Sequence, residues 1–478
     1  DTGRTSAGRY RFEEYNFTTN ENRLIFADGA NFASFYNGTT VVDIKGSTTI
    51  SATGSASSSS TSLSVTSAAG IAEGMYIGGT NIGSGAKVSS ISGTTVTMSV
   101  ATTGTISSAS VTFAGLGTAP TNPSMVAAFK NHMFYAGMSA EPNTIIFSAL
   151  GDENDFTTSN GAGSLNVDST IIAIKSFRES LMIFCEDRIY KLTGNALIDF
   201  KIEPVSRNVG CSDAFSVQEI GGDILFLAPD GLRTVAGTAR IGDVELGTVS
   251  KQIQDRINDI GFDNVSSVVI RGKSQYRLFF PTTGGLETSA KGLIGVLKSN
   301  PQGQLGWEYS DIRGLKPSCC VSGFVSGVET IIHGGFDGYV YKQESGNTFA
   351  GTAMTALYRS PDLTMGDAGI RKAMQRINVN YDPEGAVNVS LFVKYDFEDA
   401  ATPQPDAYTL TTANTAAVYG SSATLYDSAV YGAEGMPIVR QSVEGSGFTV
   451  VIRLTDTSSN PPITLKGFEL EFTPGARM

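Results

Sequence analysis

Three stretches of the chain align without a gap: LMIFCEDRIYKL from Leu181, ILFLAPDGLRTV from Ile224 and IIHGGFDGYVYK from Ile331. Each is an apolar run, a turn at Asp187, Asp230 or Asp337, and a second alternating run. Alternation at period two on both sides of an Asp-Gly or Asp-Arg turn describes a β-hairpin, because successive strand side chains face opposite ways. One hairpin recurring along the chain describes an all-β repeat protein.

The repeat has a measurable interval. MVAAFKNHMFYAGM from Met125, with its turn at Lys130 to His132, and VVIRGKSQYRLFFP from Val268 share the plan. Equivalent strands begin near Met125, Ile171, Phe215, Ser267 and Cys319, at spacings of 46, 44, 52 and 52 residues. A four-stranded propeller blade takes about 40 to 50 residues. With LIFADGANFASFYNGTTVVDI, Leu24 to Ile44, supplying another blade, the expectation is a β-propeller of about six blades.

Two segments break the array. Between Gly46 and Asn122 the only charged residues are Glu73 and Lys87, yet TSLSVTS from Thr61, KVSSIS from Lys87, TVTMSV from Thr95 and SVTF from Ser110 alternate as strands do. This predicts a small inserted β domain over 46–116, with Ser57 to Ser60 as a turn, between propeller parts 1–45 and 117–350. After Gly351 the repeat stops, and RINVNYD from Arg376, VNVSLFVKYDF from Val387, FTVVIRL from Phe448 and LKGFELEF from Leu465 predict a C-terminal β-sandwich over 351–478. One helix is expected, capped by Ser250, with Ile253, Ile257 and Ile260 on one face and Gly261 closing it.

Charge and composition narrow the function. With 54 glycines and 17% charged residues, the 478-residue chain reads as turn-rich and globular, and its net charge of −12 disfavours binding to a phosphate backbone. Cys185, Cys211, Cys319 and Cys320 are too few for a disulfide framework and read as free, buried thiols of a reducing cytosol. No run approaches the about 20 apolar residues that span a bilayer, and no signal peptide opens the chain.

Catalytic chemistry finds little to assemble. The two histidines, His132 and His333, lie inside predicted hairpins with no metal-ligand spacing around them, and no nucleophile, phosphate-loop or dinucleotide motif occurs. Asp152, Glu153 and Asp155 in GDENDF invite comparison with a cation loop or a glycosidase pair, but loop carboxylates of this kind are expected to be solvated. Glu186 and Asp187 are explained by the turn itself, where Asp bonds its own backbone. The sequons at Asn16, Asn37, Asn264 and Asn388 read as chance matches. No catalytic, cofactor-binding or metal-binding residue is assigned, and no cofactor.

A family resemblance completes the reading. SALGDENDF from Ser148, the Gly-rich step at Gly161 to Gly163 and IIAIKSFRESLMIFCEDRIYKLTG from Ile171 resemble the propeller of the tail nozzle or tail-hub proteins of short-tailed bacteriophages, also called packaged-DNA stabilisation proteins. YRSPDL from Tyr358, GIRKAMQRINVNY from Gly369, VKYDF from Val393, VYGSSATLYDSAVYG from Val418 and PPITLKGFELEFTPGAR from Pro461 extend the likeness to the end of the chain. The stretch from Gly70 to Ser99 is similar to small β domains of phage tail proteins. The resemblance implies a structural, non-enzymatic virion protein, assembled in the bacterial host cytoplasm into a homohexameric ring. It would sit below the portal and adaptor, beside tail fibre or tailspike proteins, and close the ejection channel through which double-stranded DNA passes without specific binding. The alternatives are a receptor-binding and a glycan-degrading propeller, the first with its recognition loops in the insert or the sandwich.

Overall fold

The computed structural model describes residues 4, 8–17, 22–235, 248–258, 264–281, 290–299, 305–346, 348–383, 387–412, 438–457 and 463–477. Ile260, Gly261, Thr18 of the first sequon, Pro461 and the tyrosine-rich stretch 418–432 lie outside them. The chain divides into two compact units, Asp1–Tyr341 and Lys342–Met478.

The first unit is a β-propeller. Among the described residues, six antiparallel sheets, each made of strands in sequence order, follow one another along the chain. They open with the strands Arg11–Tyr15, Met125–Phe129, Ile171–Phe177, Gln218–Ile220, Ser266–Ile270 and Cys319–Val325. Of the five expected starts, Met125, Ile171 and Cys319 coincide with strand starts and Ser267 lies one residue inside its strand. The exception is Phe215, which lies in a 3-10 turn, Ala214–Ser216, because Asp213 caps it through the Phe215 N–H at 2.6 Å.

Asp187, Asp230 and Asp337 all occupy the turn between the second and third strands of their sheets: Ser180–Cys185 to Ile189–Thr193, Asp223–Ala228 to Gly231–Thr234, and Val328–Gly334 to Val340–Lys342. Their side-chain partners differ: Asp187 takes Arg188 and the Ser169 hydroxyl, Asp230 takes Arg233, and Asp337 accepts the Tyr339 N–H at 3.1 Å. A second periodic turn joins first to second strands, with positive φ at both central residues in Lys130-Asn131, Gly221-Gly222 and Ser326-Gly327. That geometry matches the twist of the flanking strands.

Apolar cores fill the spaces between successive sheets. Tyr15, Ile25 and Phe35 of the first sheet pack on Val126, Met133 and Tyr135 of the second. Phe134 and Phe147 then meet Ile174, Leu181 and Ile183 of the third, whose other face (Met182, Phe184) meets Ile224 and Phe226 of the fourth. Leu225 and Leu227 bury Tyr276 and Leu278 of the fifth, and Val268 and Ile270 meet Ile331 of the sixth. The expected helix is short, Gln254–Asn258 after the 3-10 turn Lys251–Ile253, and Ile257 docks it on the core of the fourth and fifth sheets. Ser250 does not cap it: its side chain is drawn inward to accept the Leu232 N–H at 3.1 Å.

Within this unit, residues 50–113 build their own six-stranded sheet around Leu63, Met75, Val88, Val96, Val111 and Phe113. Ile50–Ala56 and Ile77–Gly78 join the strands expected there. The excursion leaves and re-enters the propeller through a two-stranded stem in which Gly46–Ser47 pairs with Gly117–Thr118. Gly46 has φ +61 and a Cβ there would overlap the Gly117 carbonyl, so only glycine closes the stem this tightly.

The second unit stacks two sheets as a sandwich. Val389, Leu391, Val393 and Tyr395 from Val387–Tyr395, with Ile452 and Leu454 from Val450–Asp456, face Ile377, Val379 and Tyr381 from Ile370–Pro383.

Candidate functional site

The GDENDF loop leaves the strand Thr144–Phe147 and turns beneath the inserted domain. Its carboxylates are not solvated as expected: Glu153 is 3% and Asp155 2% exposed. Burying a charge is costly unless it is paired and hydrogen-bonded, and each one is. Asp155 accepts the Thr157 N–H at 2.8 Å and Asn160 Nδ2 at 2.7 Å. Glu153 pairs with Arg23 of the first sheet, and its carbonyl accepts the Tyr135 hydroxyl at 2.7 Å. Asp152 accepts the Asn154 N–H at 3.1 Å and reaches Lys87 of the insert, also at 3.1 Å.

These pairs line a cleft of about 300 Å³ between the propeller and the insert. Tyr15, Phe17, Arg23, Phe35 and Val42 come from the first sheet, Asp152 and Glu153 from the loop, and Glu73, Lys87, Ser89 and Ser99 from the insert. The Lys87 ammonium lies 4.4 Å from the Tyr76 ring centroid. Burial pulls its pKa down, but Asp152 and Tyr76 outweigh that and leave it raised. Burial, then the charge of Glu153, pushes the Tyr15 phenol up. The Arg23 guanidinium carbon lies 4.7 Å from the Phe35 centroid, so the group is held by a ring and a carboxylate at once. Nothing local in the sequence joins these residues, which are separated by 130 positions for Arg23 and Glu153 and 65 for Lys87 and Asp152. One signal was there to use: Glu73 and Lys87, the only charges between Gly46 and Asn122, both face this cleft.

A second charged cluster sits where the later sheets begin. Arg9 and Arg11 hold their guanidinium carbons 3.7 and 4.3 Å from the Phe215 ring centroid. Arg9 also donates to the Val265 carbonyl at 2.6 Å. Burial lowers Arg11 to about 10, with Asp213 opposing. Burial likewise raises Asp213, whose carboxylate accepts the Phe215 and Val265 N–H groups.

The remaining sequence candidates are structural. His132 is buried, holds Nδ1 2.6 Å from the Ser148 carbonyl and is ringed by Phe134, Phe147 and Phe200. His333 stacks on Tyr341 at 5.3 Å, and burial lowers its pKa. Glu186 and Asp187 lie on an exposed turn. All four cysteines are free, but Cys319 is exposed and Cys320 only partly buried, against the expectation of four buried thiols. Among the described residues no group of three metal-ligating side chains converges, and no helix is long and apolar enough to cross a membrane.

No family model matches the chain, and no curated protein does. Among solved structures, it is similar to BBS1N in complex with ARL6DN (10% identity, 70% of this chain and 91% of that chain, TM-score 0.21). It is similar to the computationally designed Ika8 protein (12%, 70% and 82%, TM-score 0.29) and to Kluyveromyces lactis Hsv2p (10%, 64% and 97%, TM-score 0.24). Overlaps this loose carry no argument, so the fold rests on the sheets described above. None of the three is named as a virion component.

Proposed function

We propose that the chain is a structural subunit of the nozzle or hub ring of a short phage tail, without catalytic activity. In this reading six copies assemble below the portal and adaptor, carry tail fibre or tailspike proteins, and retain packaged DNA until ejection. The resemblance noted in the sequence motivates the family. One observation carries the assembly: both end sheets of the propeller leave an apolar face uncovered.

On the sixth sheet, Val321, Val325, Val328 and Val340 are 56, 62, 65 and 71% exposed. The register places Val325 opposite Val328 and Val321 opposite Ile332, on the face turned away from the fifth sheet. On the first sheet, Tyr10, Phe12, Tyr36 and Val41 are exposed on the face opposite the shared core. Contiguous apolar patches of this kind mark interaction sites. We assign a second copy as the occupant: the aliphatic face of one copy meets the aromatic face of the next, a heterologous contact whose rotation closes a ring. The acidic chain suits a lumen that repels phosphate, through which DNA slides.

The test is electron microscopy and mass photometry of the protein alone and with its adaptor ring, beside a Val325→Asp/Val328→Asp variant. Wild type should form rings with a central hole while the variant stays monomeric with an unchanged melting curve. A wild type that never assembles, or a variant that assembles equally well, overturns the reading.

A further inference from the structure

We propose that the cleft between the first sheet, the GDENDF loop and the inserted domain is a binding site for a neutral saccharide. Its about 300 Å³ corresponds to roughly ten water volumes, room for a small saccharide, in a protein class whose interiors otherwise leave few voids above one water. The lining mixes aromatic surface with polar groups, the composition of a ligand pocket and not of a packing fault.

The charges select the chemistry. Arg23 and Lys87 stand against Glu73, Asp152 and Glu153, so the lining carries one negative charge in excess and disfavours anions. Both cations are already engaged, Arg23 with Glu153 and Lys87 with Asp152, so a cationic ligand would have to break an existing pair. A hard metal ion needs more converging oxygen ligands than the cleft brings together. A neutral polyol needs neither concession. An ionised carboxylate has about four lone-pair sites, so Asp152 and Glu153 keep acceptor capacity after pairing. Vicinal hydroxyls bridge a carboxylate and its cation, while Tyr15 and Phe17, in edge contact at 4.8 Å, offer the apolar wall on which a sugar ring lies.

The inserted domain bears this out in its own composition. It carries two charged residues, and both are placed on the cleft. Lys87 ties the insert to the loop through Asp152, while Glu73 adds a further acceptor to the cleft lining.

The experiment is a glycan array of neutral and acidic saccharides probed with the intact chain, followed by titration calorimetry with the neutral disaccharide of highest signal. Ser89→Trp, at an exposed lining position, fills the cleft without touching a core; Glu153→Gln removes one acceptor. Wild type should bind a neutral glycan, Ser89→Trp should lose at least tenfold in affinity with its melting curve unchanged, and Glu153→Gln should weaken binding further than it lowers stability. No neutral glycan above background, binding confined to acidic glycans, or undiminished binding by Ser89→Trp each overturns the proposal. Ring formation is read separately, so either result leaves the assembly reading standing or falling alone.

Discussion

Arg9 and Phe215 are joined by a cation–π contact of 3.7 Å that ties the segment entering the first sheet to the start of the fourth. Because Arg9 also reaches Val265 at the start of the fifth sheet, it couples sheets far apart in sequence. Such long-range contacts hold a repeat array to one curvature, since each sheet otherwise packs only on its neighbours.

Removing that contact should therefore loosen the propeller. Arg9→Ala and Phe215→Leu are each expected to cost about 1 to 2 kcal/mol, from a largely desolvated cation–π pair. The double variant should cost less than the two together, because both remove the same contact. Urea denaturation of the four proteins measures the coupling, and strict additivity would mean that the contact contributes nothing.

Gly210 offers a sharper test. A Cβ at this position would overlap the Glu186 carbonyl, part of the backbone of the Asp187 turn, so the clash cannot be relieved by a side chain swinging aside. Gly210→Ala is expected to cost about 3 kcal/mol or more, at the upper end of overpacking effects. Gly338→Ala, in open space but at φ +85, should cost only the backbone strain of about 1 to 2 kcal/mol. Equal losses in the two variants would show that contact at Gly210 is not the cause.

The contrast between these glycines shows what a sequence can carry. Hairpins were legible because alternation and Asp turns are local: Leu181 to Leu192 announces two strands and the turn between them. Strand Arg11–Tyr15 was not, since RFEEY alternates but carries three charges, and only packing on the second sheet makes it a strand. The cleft was illegible for the same reason at longer range. Burial of Glu153 depends on Arg23, and that of Asp152 on Lys87, and no pattern within the loop encodes either partner.

Alkaline pH should expose the buried thiols. Burial raises Cys185 and Cys211 from the ordinary 9.0 to about 12. A group whose folded pKa lies above its unfolded value keeps its full contribution below the unfolded value and loses it as pH rises toward the folded one. Stability should hold to about pH 9 and then fall by about 1.4 kcal/mol per pH unit for each thiol. Denaturation at pH 8, 9 and 10 measures the slope, and Cys185→Ala and Cys211→Ala should each flatten it even while lowering stability at pH 8. An unchanged slope in both variants would assign the alkaline loss to other groups.

The inserted domain should be separable from the propeller. Its strands pair with one another, and its core of Leu63, Met75, Val96 and Phe113 is its own. The stem Gly46–Ser47 with Gly117–Thr118 closes the loop independently of what lies beyond it, and a short closed loop costs little entropy. Excising residues 50–114 and joining the ends by a Gly-Ser linker keeps the stem and the Leu116 carbonyl, which accepts the Phe156 N–H at 2.6 Å. What is lost on the propeller side is chiefly the Lys87 pair to Asp152, worth about 1 kcal/mol for a partly exposed ion pair. The melting temperature should then fall by about 2 to 4 °C in a single transition, and any saccharide binding should disappear with the insert. Scanning calorimetry decides it: aggregation on purification, or a much larger fall, would mean that the propeller needs the insert to hold its first two sheets together.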